Sequence, residues 1–100
     1  MSLRLVIRPE AEADITEAAA WYERRLAGLG LELTAEIRSA IGRAMDSPLA
    51  HLRLRERPQV RRILARRFPY RIFYIVQSDA FVVLAVLHAA RHDRHWKRRV

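Results

Sequence analysis

Apolar positions along this chain keep two different periods, and the changeover between them divides it into elements. Leu3, Leu5 and Ile7 alternate with Arg4 and Arg8, which predicts a short half-buried strand. Pro9 stops that strand and suits the first position of a helix. Glu10, Glu12 and Asp14 follow, placing negative charge where a helix dipole favours it. Ala11, Ile15, Ala18, Ala19, Tyr22 and Leu26 then fall three and four apart, so a first helix is predicted from Pro9 to Leu26, with Trp21 beside its buried stripe. Ala27-Gly28-Leu29-Gly30 breaks the pattern. Leu33, Ile37, Ala40, Ile41 and Ala44 restore it in a second helix from Leu31 to Met45, ended by Asp46-Ser47-Pro48. So short a glycine turn predicts an antiparallel helical hairpin.

Beyond residue 48 the period falls to two. Residues 49–59 alternate Leu52 and Leu54 with Arg53, Arg55 and Arg57, which fits either a short edge strand or a solvated connector. Val60-Arg61-Arg62-Ile63-Leu64 predicts a strand. Two long apolar strands follow, Tyr70 to Val76 and Phe81 to Leu87, joined by a tight turn at Gln77-Ser78-Asp79-Ala80. Tyr70, Ile72, Tyr74 and Val76 share one face; Arg71, Phe73 and Ile75 share the other. Strict alternation in the last strand sets Phe81, Val83, Ala85 and Leu87 against Val82, Leu84 and Val86. Strands apolar on both faces belong inside a sheet. The expected fold is a single α+β domain over residues 1–100, ordered β-α-α-β-β-β. Its sheet is mostly antiparallel, with the helical hairpin packed on one face. The other face is expected to stay partly open, rimmed by arginines.

Charge adds a direction to this picture. The net charge is +8, yet residues 1–50 carry six Arg and eight Asp or Glu, a net of −2. Residues 51–100 carry twelve Arg, one Lys and three Asp or Glu, a net of +10. A basic half of that density implies an acidic partner, either nucleic acid or an acidic protein segment. Arginine, unlike lysine, binds phosphate or carboxylate through a planar fork. There is no cysteine, hence no disulfide framework and no thiolate metal site. The start of the chain lacks signal-peptide architecture, and the longest apolar run is far below the ~18 residues of a membrane helix, so a cytoplasmic protein with no membrane partner is expected.

The candidate chemistry lies in the basic half. His88, His92 and His95 would share one side if their segment were helical, but a zinc site would need more ligands than these, so no metal or other cofactor is expected. Trp96 reads as an anchor on the sheet or as an interface hot spot. Gly28-x-Gly30 lies between helices rather than after a strand, so it is a poor phosphate loop. A basic nucleic-acid-binding module is one reading of the charge. It would have to bind through sheet and tail, since residues 9–45 hold seven acids against four arginines.

Val60-Arg61-Arg62-Ile63-Leu64, Arg67-Phe68-Pro69-Tyr70-Arg71-Ile72-Phe73-Tyr74 and Leu87-His88-Ala89-Ala90-Arg91, followed by Trp96, resemble the C-terminal half of the RelE/ParE superfamily of bacterial toxins. Pro9-Glu10-Ala11 and Trp21-Tyr22 are similar too. The resemblance implies a toxin of a type II toxin–antitoxin (plasmid stabilisation) system, bound by an acidic antitoxin in a hetero-oligomer. Members of the RelE branch cut mRNA on the ribosome, and members of the ParE branch inhibit DNA gyrase. The nuclease positions that carry over are Arg62, where the nucleases place a lysine, then Arg71 and Arg91. His88 is a stand-in for the general acid. Leu64 occupies the place of a second lysine, and Trp96 that of a tyrosine; indole donates a hydrogen bond but cannot serve as a general acid. This incompleteness points to the ParE branch, a non-catalytic gyrase inhibitor. Arg61, Arg66, Arg67, Arg94, Trp96, Lys97 and Arg98 are then the candidate target- or antitoxin-binding residues.

Overall fold

A computed structural model describes residues 3–90 and residue 99. A first strand, β1 (Arg4–Ile7), leads through Arg8 into helix α1 (Pro9–Arg25), and helix α2 (Leu29–Asp46) returns alongside it. Four strands follow: β2 (Leu52–Arg53), β3 (Arg61–Leu64), β4 (Tyr70–Gln77) and β5 (Ala80–His88). They form one sheet in the order β1-β5-β4-β3-β2, parallel only between β1 and β5. The α+β reading and its order hold. Of the two readings of residues 49–59, a two-residue edge strand pairing with β3 is the one formed.

Local chemistry explains where the helices begin and end. Pro9 occupies the first position of α1, Glu10 and Glu12 lie in its first turn, and Arg24 and Arg25 in its last, matching the dipole at both ends. The helix stops one residue earlier than expected because Leu26 is extended, and its side chain is exposed rather than part of the buried stripe. Gly28 caps α2 with a φ of 91°, a left-handed conformation that costs glycine least. Gly28 contributes no side-chain cap, and the carboxylate of Glu23 on α1 serves instead. It accepts hydrogen bonds from the Gly28 N–H at 2.9 Å and the Gly30 N–H at 3.0 Å. This pulls the start of α2 back to Leu29.

The hairpin packs on one face of the sheet. Leu33, Ile37, Ala40, Ile41 and Ala44 of α2 and Ala11 and Ala18 of α1 meet Ile63, Tyr70, Ile72, Tyr74, Phe81, Val83 and Val86. Tyr74 stacks on Phe81 at 4.3 Å between ring centroids and donates its hydroxyl to the Pro48 carbonyl at 2.7 Å, pinning the segment after α2.

Two expectations fail here, for physical reasons. Pairing shifts between Phe73↔Ala85 and Tyr74↔Val83, which leaves Leu84 as the extra residue of a β-bulge. Past the bulge the alternation changes phase. Val86 joins Phe81 and Val83 under the helices, and Leu87 joins Val82 and Leu84 on the far side. The second face is also less open than expected. Val60, Phe73, Ala80, Val82, Leu84, Ala85 and Leu87 are all buried, with Val6, Leu54 and Ile75 packed against them. Exposed apolar side chains remain toward β2 and β3, where Leu52 and Leu64 are each 55% accessible.

Candidate functional site

Residues directly opposite in a β ladder share a face, so the register places each candidate side chain. Arg62 pairs with Phe73, which in turn pairs with Ala85, and Leu64 pairs with Arg71, which pairs with Leu87. Phe73, Ala85 and Leu87 belong to the second face. Arg62, Leu64 and Arg71 therefore lie together on that face, away from the helical hairpin. Arg62 and Arg71 are half-buried, and the Arg71 guanidinium lies 5.6 Å from the Phe73 ring centroid, where a cation and an aromatic face attract.

His88 lies on the other side. It pairs with Tyr70, its ring sits edge-on 5.4 Å from the Tyr70 ring, and Tyr70 belongs to the helix-side core. With Asp14, Glu17, Trp21, Tyr22 and Tyr70 it lines a cleft of about 270 Å³ between α1 and the ends of β4 and β5. Its Nδ1 accepts the Ala90 N–H at 3.0 Å. The sheet thus separates His88 from Arg62 and Arg71.

The other candidates divide as well. Arg61 pairs with Tyr74 and faces the helix side, where its guanidinium donates to the His51 carbonyl at 2.9 Å and ties down the approach to β2. Arg66 and Arg67 occupy the β3–β4 turn. Their contacts run to α2: the Arg66 N–H donates to the Glu36 carboxylate, and Arg67 pairs with Glu32. Both partners of the latter pair are about half exposed, so it is worth at most about 1 kcal/mol. Arg91, Arg94, Trp96, Lys97 and Arg98 lie outside the described residues, as do His92 and His95.

One arrangement was not anticipated. Where β1 ends, the edge of β5 loses its strand partner, and the Asp14 carboxylate takes over by accepting the Val86 N–H at 2.9 Å. Arg99 closes the site with two donations to Asp14, at 2.6 and 3.2 Å, and one to the Leu84 carbonyl at 3.1 Å. The Arg99 carbonyl accepts from Arg8 at 2.8 Å. The clue was available in the sequence. Asp14 lies three residues after Ala11 and four before Ala18, inside the apolar stripe of α1, where a lone carboxylate needs a partner.

Chemically, the second face offers guanidinium groups beside leucines, and the cleft offers carboxylates and aromatic rings. Among the described residues, neither brings a proton donor to an arginine pair in the way phosphodiester cleavage requires. Residues 5–93 match the family described as ParE toxin of type II toxin-antitoxin system, parDE. The chain belongs to the ParE toxin family. No curated protein matches the sequence. Among solved structures, a chain of the chromosomal ParDE TA system from P. aeruginosa superposes with a TM-score of 0.77 at 18% identity, covering 86% of this chain and 95% of that one. At that identity the likeness is one of fold. Among the described residues no helix is long and apolar enough to cross a membrane.

Proposed function

We propose that this chain is a toxin that acts by binding rather than by catalysis, with DNA gyrase as its target, and that an acidic antitoxin neutralises it in the cytoplasm. Membership of the ParE family supports the toxin role. The observation that carries the choice of binding over catalysis is the placement of Arg62 and Arg71 on one face of the sheet and His88 on the other. Leu64 beside Arg71 strengthens it, since a leucine can neither activate a 2′-hydroxyl nor stabilise charge on phosphate.

The test is induced expression with and without the adjacent antitoxin gene, followed by two assays on the purified chain. Growth arrest relieved by the antitoxin, inhibited gyrase supercoiling and intact ribosome-bound mRNA are expected. Absence of arrest would count against a toxin. Codon-specific mRNA cuts that disappear in Arg71→Ala would move the protein to the nuclease branch.

A further inference from the structure

We propose that the cleft between α1 and the ends of β4 and β5 is a binding site for a small organic cation carried on a flat apolar body. Two layers build it. Asp14, Glu17, Trp21 and Tyr22 stand on one side of α1, and Tyr70 and His88, opposite each other in the β4–β5 ladder, complete the wall. The rings form a continuous edge-to-face chain. Their centroids are 4.9 Å apart from Trp21 to Tyr22, 6.3 Å from Tyr22 to Tyr70 and 5.4 Å from Tyr70 to His88. Such contacts fix ring orientation, so the apolar lining is formed before any ligand arrives.

Three observations argue for a cation as the occupant. The carboxylates of Asp14 and Glu17 line the cleft and, among the described residues, no lysine or arginine does, although the chain carries a net charge of +8. Asp14 is engaged by Arg99 and the Val86 N–H, but the Glu17 side chain makes no hydrogen bond or ion pair among the described residues. The same walls already hold guanidinium groups of this chain. Arg25 lies 3.4 Å from the Trp21 ring centroid, and Arg99 forks onto Asp14. Trp21 is still 42% accessible, so apolar ring surface at the cleft meets water until a ligand covers it. A phosphate or nucleic acid would be repelled by the carboxylates. The volume of about 270 Å³ lies just below the usual range of about 300–1,000 Å³ for ligand pockets, which limits the occupant to a compact molecule.

The test is an amide chemical-shift titration of the purified full chain with three probes of one shape: benzamidine, a cation; benzamide, its neutral counterpart; and benzoate, an anion. Benzamidine should give saturable shifts at residues 14–22, 70 and 86–88. Benzamide should bind at least about tenfold more weakly, since it loses the charged contacts, and benzoate should not bind. Glu17→Gln should weaken benzamidine at least about threefold, the scale of an accessible ion pair, and leave benzamide unchanged. Trp21→Ala should weaken both. Asp46→Asn, an exposed carboxylate at the far end of α2, is the control and should change neither. Glu17 is exposed and Trp21 partly so, and melting curves verify that each variant folds. Equal affinities for benzamidine and benzamide would overturn the inference, as would wild-type affinity for benzamidine in Glu17→Gln. Shifts scattered over exposed carboxylates outside the cleft would also overturn it. Tighter binding of adenosine monophosphate at the same amides would make the cleft a nucleotide site and the inference wrong.

Discussion

Gly30 and Gly42 both lie in α2, yet they should respond to the same substitution with opposite signs. A Cβ on Gly30 would stand 2.6 Å from the Ala19 carbonyl oxygen and 3.0 Å from the Glu23 carboxylate. The first obstacle is backbone, so α2 would have to move off α1, and Gly30→Ala should cost about 1–3 kcal/mol. A Cβ on Gly42 would meet nothing within 4 Å, and the residue is exposed in mid-helix, so Gly42→Ala should stabilise by about 0.5–1 kcal/mol. Thermal melts of the two variants check the pair, and a raised midpoint for Gly30→Ala would contradict the packing described. Asp14 is a second case. Asp14→Ala strands the Val86 N–H and the Arg99 guanidinium, whose side chain is only 19% accessible, and should cost about 2–4 kcal/mol. Asp14→Asn keeps an acceptor for Val86 and should cost clearly less; equal losses in urea titrations would show that the backbone contact carries no weight. Tyr74 is a third. Burial pushes its hydroxyl up to about 12, while the Arg61 charge pulls the other way. Its contribution is therefore fully present below pH 10, the ordinary value, and is lost as pH rises from there toward about 12. Tyr74→Phe should lose about 1 kcal/mol at neutral pH from the missing bond to Pro48 and should show a flatter alkaline decline in stability.

The elements were legible where a single period ran without interruption. Leu33, Ile37, Ala40, Ile41 and Ala44 identified the buried stripe of α2, and Tyr70, Ile72, Tyr74 and Val76 identified the helix-facing side of β4, because no irregularity shifts their phase. The far end of β5 was not legible. A bulge adds one residue without altering composition, so Val86 and Leu87 look interchangeable in sequence and end on opposite sides. The pairing of β1 with β5 was hidden for another reason: it joins segments some seventy residues apart and leaves no local mark. The candidate site suffered from both effects. Of the nuclease positions Arg62, Arg71, Arg91 and His88, the register sets Arg62 and Arg71 on one face, and the bulge turns His88 toward the helices, a change of side that no sequence period marks. The turn between α1 and α2 was read only as a glycine break, and the Glu23 cap inside it yields a prediction. Hydrogen bonds from the Gly28 and Gly30 N–H groups hold the Glu23 carboxyl below its ordinary 4.5. A lowered folded-state value stabilises above 4.5 and loses that effect as pH falls through the folded value. Stability curves of wild type and Glu23→Gln should therefore converge on acidification below that pH. A gap between the curves that stayed constant down to strongly acid pH would mean that the cap does not depend on the carboxylate.

At the scale of the whole molecule, the helical hairpin carries most of the acids and residues 51–100 most of the arginines, so the charge is strongly unequal between the halves. Contacts between the two already use part of it: Arg67 with Glu32, the Arg66 N–H with Glu36, and Arg99 with Asp14. Compensation is incomplete, because the chain as a whole keeps a net charge of +8 and the residue 51–100 half a net of +10. Uncompensated like charge opposes the compact state and favours any partner that supplies carboxylates or phosphates. These two consequences predict opposite responses to salt. Screening removes repulsion among exposed arginines over about 8–10 Å at moderate ionic strength, while the half-buried Asp14–Arg99 pair is screened much less. The melting temperature of the isolated chain should therefore rise as sodium chloride is raised from low to moderate concentration, and affinity for the antitoxin should fall over the same range. A melting temperature that fell with salt would mean that the exposed ion pairs, not the repulsion, dominate the electrostatics of this fold. In that case the arginine surplus would be a feature of stability and would give no ground for expecting an acidic partner.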